Sequence, residues 1–203
     1  HETYGSTEAG VVTNLAPADM RRKRNCAGRP IAGQFVRLLD EAGAEVAPGE
    51  TGELFSNGPT LFNGYWNREE ETAASFRDGW FSAGDLARAD DEGFLHIVDR
   101  KKDMILSGGV NIYPRDVEET LFAHPAVAEA AVVGVPDARW GEAVHAFLRL
   151  APGASAEPEA VIAWCRERLA PHKTPKGVSF VDEIPRNAAG KVLKKDLRAS
   201  LTG

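Results

Sequence analysis

The five charged residues Asp99-Arg100-Lys101-Lys102-Asp103 divide two patterns of chain. Before them, short apolar-alternating runs such as Gln34–Leu39 and Gly52–Phe55 are bounded by the turn formers Asp40-Glu41-Ala42-Gly43 and Pro48-Gly49. One helix is expected at Glu69–Phe76 and a further short strand at Leu95–Val98. After them, helices alternate with strands. Pro114–His124 reads as a helix, with Pro in its first turn, acids near its start and a histidine near its end. Val127–Val135 and Ala143–Leu150 read as strands. Glu157–Leu169 repeats apolar residues at Val161, Trp164, Cys165 and Leu169, a helical spacing. Val178–Val181 reads as a third strand and Lys191–Leu201 as a last helix. The expectation is an α+β chain in two parts. Residues 1–100 form a strand-rich part, and residues 101–203 a small α+β domain with a short mixed or antiparallel sheet.

Composition excludes several classes of function. Of the 203 residues 43% are apolar, enough for a real core, and the formal charge of −6 argues against a nonspecific nucleic-acid binder, a local basic patch aside. Two cysteines, Cys26 and Cys165, make neither a disulfide framework nor a metal set; they read as ordinary thiols in a reducing cytoplasm. No run approaches the roughly 18 apolar residues of a membrane span, and no signal peptide is evident. The start at His1, without Met, leads us to expect a piece of a longer chain.

Three polar clusters carry potential chemistry. In Tyr4-Gly5-Ser6-Thr7-Glu8 the ring can stack on a base, the glycine admits a ligand to the backbone, the hydroxyls can bind phosphate and the carboxylate can hold Mg²⁺. The plain alternative is a Gly-Ser turn followed by an acid. In Gly79-Trp80-Phe81-Ser82-Ala83-Gly84-Asp85 the carboxylate, expected on a turn, can accept both hydroxyls of a ribose, or merely cap that turn. In Pro185-Arg186-Asn187-Ala188-Ala189-Gly190-Lys191 a lysine on a glycine-containing loop can reach an anionic reaction centre as a mobile point charge. This is not a Walker loop, because Pro185 and Val192 stand where that motif needs Gly and Ser or Thr; no strand is followed by G-x-G-x-x-G either.

Together the clusters resemble, nearly end to end and in order, the adenylate-forming superfamily of acyl-CoA ligases, peptide-synthetase adenylation domains and beetle luciferases. The resemblance also includes Gly52-Glu53-Leu54, Gly64-Tyr65-Trp66, Asp99–Asp103 and Ser107-Gly108-Gly109-Val110-Asn111-Ile112-Tyr113-Pro114. Ser107–Pro114 followed by Asp116-Val117-Glu118 is similar to the CoA-ligase branch. The first part of the chain then corresponds to the end of the large adenylation domain. The family's ATP-phosphate loop lies upstream and is absent here, so the resemblance implies a fragment inactive by itself.

The resemblance implies a role for each matching residue. Tyr4 lies near adenine, with Gly5 and Thr7 also binding the nucleotide and Thr7 touching the AMP phosphate; Glu8 helps hold Mg²⁺. Asp85 binds the ribose hydroxyls with help from Arg100, although Asp99 stands where much of the superfamily has Gly. Lys102 is the hinge. Lys191 bridges the acid's carboxylate and the α-phosphate, and a lysine acetyltransferase acting on it would silence the enzyme. Gly108 and Gly109 line the pantetheine tunnel, and Trp140 and His172 contact coenzyme A; the alternatives are a partly buried core Trp140 and a solvated His172. The implied reaction consumes ATP and a carboxylic acid, releases AMP, and delivers the acyl group to coenzyme A. A carrier protein as acceptor and a non-catalytic binding module remain the other readings.

Overall fold

Gly and Pro turns cut the first hundred residues into short strands, and short connections pair neighbours antiparallel. The computed structural model describes residues 1–201. The chain divides into two units, His1–Lys102 and Asp103 onward. In the first unit, β1 (Glu2–Ser6), β2 (Gly10–Leu15) and β3 (Arg29–Pro30) form an antiparallel sheet, with the one-turn helix α1 (Pro17–Met20) between β2 and β3 in the chain. Next come β4 (Phe35–Leu39), β5 (Gly52–Asn57), α2 (Glu69–Ser75), β6 (Phe76–Arg77), β7 (Trp80–Ala89) and β8 (Leu95–Arg100). These strands form an antiparallel sheet ordered β4-β5-β7-β6, with β8 also paired to β7. Phe81 is buried beside Ala9 and Val12, and packs on the rings of Phe62 and Phe76.

The two middle residues of the densest basic stretch, Arg21-Arg22-Lys23-Arg24, are spent inside this unit. Arg22 pairs with Asp19 and Glu92 at 2.6 and 2.7 Å, and Lys23 with Asp90 and Glu92 at 2.5 and 2.7 Å. Arg22, Lys23 and Arg29 also cover the ring of buried Phe94. The stretch therefore fastens the segment after α1 to the β7–β8 hairpin.

Residues Lys101–Asp103 form a 3₁₀ turn into the second unit. There β9 (Ile105–Ser107) and β10 (Val110–Ile112) make a hairpin, followed by α3 (Pro114–Phe122), β11 (Val127–Asp137), β12 (Gly141–Leu150), α4 (Pro158–Arg166), β13 (Gly177–Phe180) and α5 (Lys194–Ala199). The sheet runs β10-β9-β12-β11, with β13 parallel to β12. The middle of β11, Ala130–Val135, is apolar without a break because both of its faces are covered, and β12 beside it is apolar at most positions. Ala130, Val132, Val144, Ala146 and Leu148 pack in one layer with Val117, Leu121, Val161 and Cys165 of α3 and α4. Ala131, Val133 and Phe147 pack in the other with Ile184 and Leu197.

The last helix begins later than the sequence pattern predicts. Backbone groups at its expected start bond to the preceding loop instead: Lys191 N–H donates to Asn187 Oδ1 at 2.9 Å and Leu193 N–H to the Pro185 carbonyl at 2.8 Å. Lys191 consequently sits on a loop, and helix starts at Lys194.

His145 on β12 lies 3.0 Å from Ser179 Oγ through Nε2, and burial pulls its pKa below the ordinary imidazole value. The folded unit thus favours neutral imidazole, while the unfolded chain takes up the proton first. This contribution to stability is complete above the unfolded value of about 6.5 and is lost as pH falls through the lower folded value. The melting temperature of the chain is expected to fall more steeply between about pH 7 and pH 5 than that of His145→Gln, which keeps a hydrogen-bonding group but does not titrate there. Parallel melting curves for the two proteins would contradict this.

Candidate functional site

The first cluster forms where β1, β7 and β8 bring distant residues together. Asp85 does not lie on a turn, as the glycine before it suggested; it lies within β7, directly across from Arg100 on β8. The reason is a bulge. Between the pairs Phe55↔Ser82 and Glu53↔Leu86, β7 carries Ala83, Gly84 and Asp85 where β5 carries only Leu54. Gly84 adopts φ 79°, a left-handed angle that costs glycine little and lets the strand continue past the extra residues. Buried Asp85 accepts the Tyr4 hydroxyl on Oδ2 at 2.6 Å and pairs through Oδ1 with Arg100 Nε at 2.6 Å. A carboxylate has about four lone-pair directions, so this one is fixed on both oxygens yet keeps acceptor capacity on each. Burial raises the Tyr4 pKa, followed by the hydrogen bond to Asp85 and its charge; Arg100 opposes them. Tyr4 is therefore a neutral donor, and its ring packs among Ala9, Val12 and Phe81.

A second layer supports the bulge. Ser82 Oγ accepts the Gly84 N–H at 3.0 Å and donates to Glu53 Oε1 at 2.7 Å, while Glu53 Oε2 pairs with Lys101 at 2.8 Å. Glu53 thus ties the Asp85 bulge to the turn holding Lys102, which is exposed in the 3₁₀ segment.

Of the remaining residues in the first motif, Thr7 is exposed in the β1–β2 turn. Gly5 lies on β1, where any Cβ would fall 2.0 Å from the Gly10 carbonyl oxygen, so the hairpin itself demands glycine. Glu8 Oε1 accepts the Tyr65 hydroxyl at 2.9 Å. Burial pushes the Glu8 pKa up, but its own backbone N–H, Tyr65, Ser6 and the charge of Arg100 together bring it below the usual value. Glu8 is an ionised carboxylate near a cation. Among the described residues no group of three or more His, Cys, Asp or Glu could hold a metal. The residue here that would hold a Mg²⁺ ion is Glu8, a single carboxylate, which fits a cation that is often bound through one or two carboxylates together with substrate phosphates. Sequence reading assigned no role to Tyr65, Glu53 or Ser82. The Gly64-Tyr65-Trp66 and Gly52-Glu53-Leu54 motifs were the available signals.

In the second unit, Gly108 and Gly109 form the exposed turn of the β9–β10 hairpin. Gly108 N–H donates to the Trp140 carbonyl at 2.8 Å, and a Cβ on Gly108 would meet Trp140 Cε3 at 2.9 Å, so the indole lies against the glycine backbone. Trp140 is 41% exposed and lies in no buried core cluster among the described residues. Asp137 Oδ1 accepts the N–H groups of Arg139 and Trp140 at 2.8 and 2.9 Å and fixes the turn bearing that ring. His172 is exposed on the turn after α4, and no hydrogen bond or ring contact joins it to Trp140 among the described residues. Lys191 is exposed at the end of the Pro185–Lys191 loop.

Comparisons with known proteins identify the family. The family model for AMP-binding enzymes matches residues 1–66, and that for the AMP-binding enzyme C-terminal domain matches residues 116–191. The chain is 46% identical over 199 residues to the 2-succinylbenzoate–CoA ligase of Geobacillus kaustophilus, covering 98% of this chain and 40% of that protein. It is 47% identical over 197 residues to a feruloyl-CoA synthase from an Amycolatopsis species, covering 96% and 40%. The solved structure of Bacillus subtilis O-succinylbenzoate coenzyme A synthetase, in complex with ATP and magnesium ion, has a TM-score of 0.88 and 39% identity; the match covers all of this chain and 41% of that one. The chain thus spans about two-fifths of the length of these relatives. With both family models matched in order, the chain belongs to the adenylate-forming superfamily of AMP-binding enzymes.

Proposed function

We propose that the protein carrying this chain activates a carboxylic acid with ATP to an acyl-adenylate, releasing pyrophosphate, and then transfers the acyl group to coenzyme A, releasing AMP. The observation that carries this reading is the Asp85 carboxylate, held on one oxygen by Tyr4 and on the other by Arg100. Such an oriented, ionic acceptor suits the paired hydroxyls of a ribose, and relatives of nearly half-identical sequence are named as CoA ligases. A carboxylate attacks a triphosphate poorly because both are anionic. Lys191, on its loop, would place a positive charge against the α-phosphate and the acid's carboxylate as the new bond forms. Glu8 would hold Mg²⁺, which supplies further neutralisation of phosphate charge when bound. Thr7 would donate to the AMP phosphate, and Gly5 would leave the backbone open beside the nucleotide.

For the second step, the flat Gly108–Gly109 turn and the exposed Trp140 would admit the thiol-bearing arm of coenzyme A, with His172 as an outer contact. The thiol attacks the acyl carbonyl and AMP leaves with the electrons of the broken anhydride bond. Lys102 would be the backbone pivot between the two steps. Acetylation of Lys191 would remove the charge the first step needs.

The test is an acid panel with the whole protein, read first by pyrophosphate exchange and then by CoA-dependent AMP release. Exchange with at least one acid, followed by thioester formation, supports the reading. Exchange without CoA-dependent release, restored by a carrier protein, would replace the acceptor. No exchange with any acid would defeat the activity. Lys102→Pro should keep exchange and slow thioester formation, because Pro fixes its own φ and restricts Lys101; unimpaired turnover would remove Lys102 as the pivot.

A further inference from the structure

Lys191 stands on an exposed loop, and a point charge on a mobile loop is poorly placed for catalysis. The loop is held at several points. Arg186 and Val192 form an isolated bridge, Asn187 N–H donates to the Lys191 carbonyl at 2.9 Å, and Gly190 N–H to the Asn187 carbonyl at 2.9 Å. Asn187 Oδ1 accepts the N–H groups of Ala189 at 3.0 Å and Lys191 at 2.9 Å. These bonds are local and set the loop's shape, but they do not set its place on the domain.

Arg186 supplies that connection. Its Nη1 donates to the Gly190 carbonyl at 2.9 Å, one residue before Lys191. Its Nη2 pairs with Glu129 Oε2 at 2.9 Å. Glu129 belongs to β11, next to the bulge between Val127 and Glu129, and its other oxygen accepts both Nε and Nη2 of Arg149 on β12. One guanidinium thus bridges the lysine loop to a carboxylate that a second arginine anchors to the central strands. The Arg186 hydrogen bond, then that of Arg149, lowers the Glu129 pKa, so the bridge remains ionic at neutral pH. An exposed ion pair of this kind adds little to stability. Its planar fork geometry matters here because a misplacement of about 1 Å at a reacting group can cost on the order of 10²-fold in rate.

We propose that Glu129 and Arg186 are positioning residues for the adenylation step, fixing the loop that presents Lys191. The inference rests on the reading of Lys191 given above, and its test separates the two. The whole protein is compared with Glu129→Gln, Arg186→Met, Arg186→Lys, the Glu129→Gln/Arg186→Met double variant and Lys191→Ala. Pyrophosphate exchange, thioester formation from supplied acyl-AMP and the melting temperature are measured for each.

The expected result is a fall of about tenfold or more in kcat for exchange in Glu129→Gln and Arg186→Met, with KM for ATP, thioester formation and melting temperature close to the parent. Arg186→Lys should recover part of the loss, and the double variant should be no worse than the worse single one, because both substitutions remove the same contact. Parent-like exchange in Glu129→Gln and Arg186→Met, alongside a collapsed Lys191→Ala, overturns the positioning inference alone. Additive losses, or both half-reactions falling together with the melting temperature, also overturn it, in favour of a purely structural role. Intact exchange in Lys191→Ala overturns the reading of Lys191 and the inference with it.

Discussion

Lys191→Ala in the whole protein is expected to lower pyrophosphate exchange by ~10²-fold or more, the scale set by losing one preorganised charge donor at a developing anion. Thioester formation from supplied acyl-AMP should stay close to the parent rate. The asymmetry follows from charge. Forming the adenylate gathers negative charge at the α-phosphate, whereas attack by a thiol on a mixed anhydride releases AMP, already a good leaving group. Lys191 suits the first demand: it is exposed on its loop, with its backbone N–H fixed by Asn187. Measuring both half-reactions on one preparation decides the matter, since equal losses in the two would dismiss the assigned role.

Asp85→Asn is expected to weaken AMP and ATP binding by on the order of 10²-fold. The substitution keeps the size of the side chain and removes its charge. The amide presents oxygen to only one of two donors, so either the Tyr4 hydroxyl or the Arg100 guanidinium meets an N–H group instead. A hydrogen bond to a charged group contributes about 1.5–3 kcal/mol, and loss of about 2.8 kcal/mol is a factor of 10². Equilibrium binding of AMP to the whole protein, by calorimetry, gives the number directly. Affinity within about twofold of the parent would remove Asp85 from the nucleotide site. Tyr4→Phe provides the smaller companion effect, deleting one donor while Arg100 stays in place.

The strands at Phe35–Leu39 and Gly52–Asn57 were legible in the sequence because alternation and flanking turns agree there. The helix at Pro114–Phe122 was legible for a similar reason, with Pro at its start and apolar Val117 and Leu121 on one buried face. The paired strands β1 and β2 were harder to read. Tyr4, Gly5 and Ser6 read as turn chemistry, yet they belong to a strand whose Gly5 makes room for the Gly10 carbonyl. Asp85 was recognised as an acid of interest but placed on a turn, because nothing local reveals that Gly84 bulges a strand instead of ending it. Glu53 and Tyr65 act on residues 29 and 57 positions away, Ser82 and Glu8. Spacing along a chain carries no signal for such contacts. The sequence reads Lys191 both as the end of a loop and as a helix start, and the hydrogen bonds of Asn187 decide for the loop.

The two-sided burial of β11 leaves its alignment without the usual guardian. In a half-buried strand, slipping by one residue throws apolar groups into water, and that penalty enforces alignment. Here Ala130 and Val132 face one layer and Ala131 and Val133 the other, so a slip merely trades one Ala-Val set for its twin. Alignment must come from polar fasteners. β11 borders the sheet, and the Val132 N–H on it donates to Glu118 Oε1 of α3 at 2.9 Å, the same oxygen that Lys194 of α5 reaches at 3.1 Å. One carboxylate therefore acts as a ruler for the strand and a blindfold for its edge, hiding a donor that a foreign strand would otherwise find.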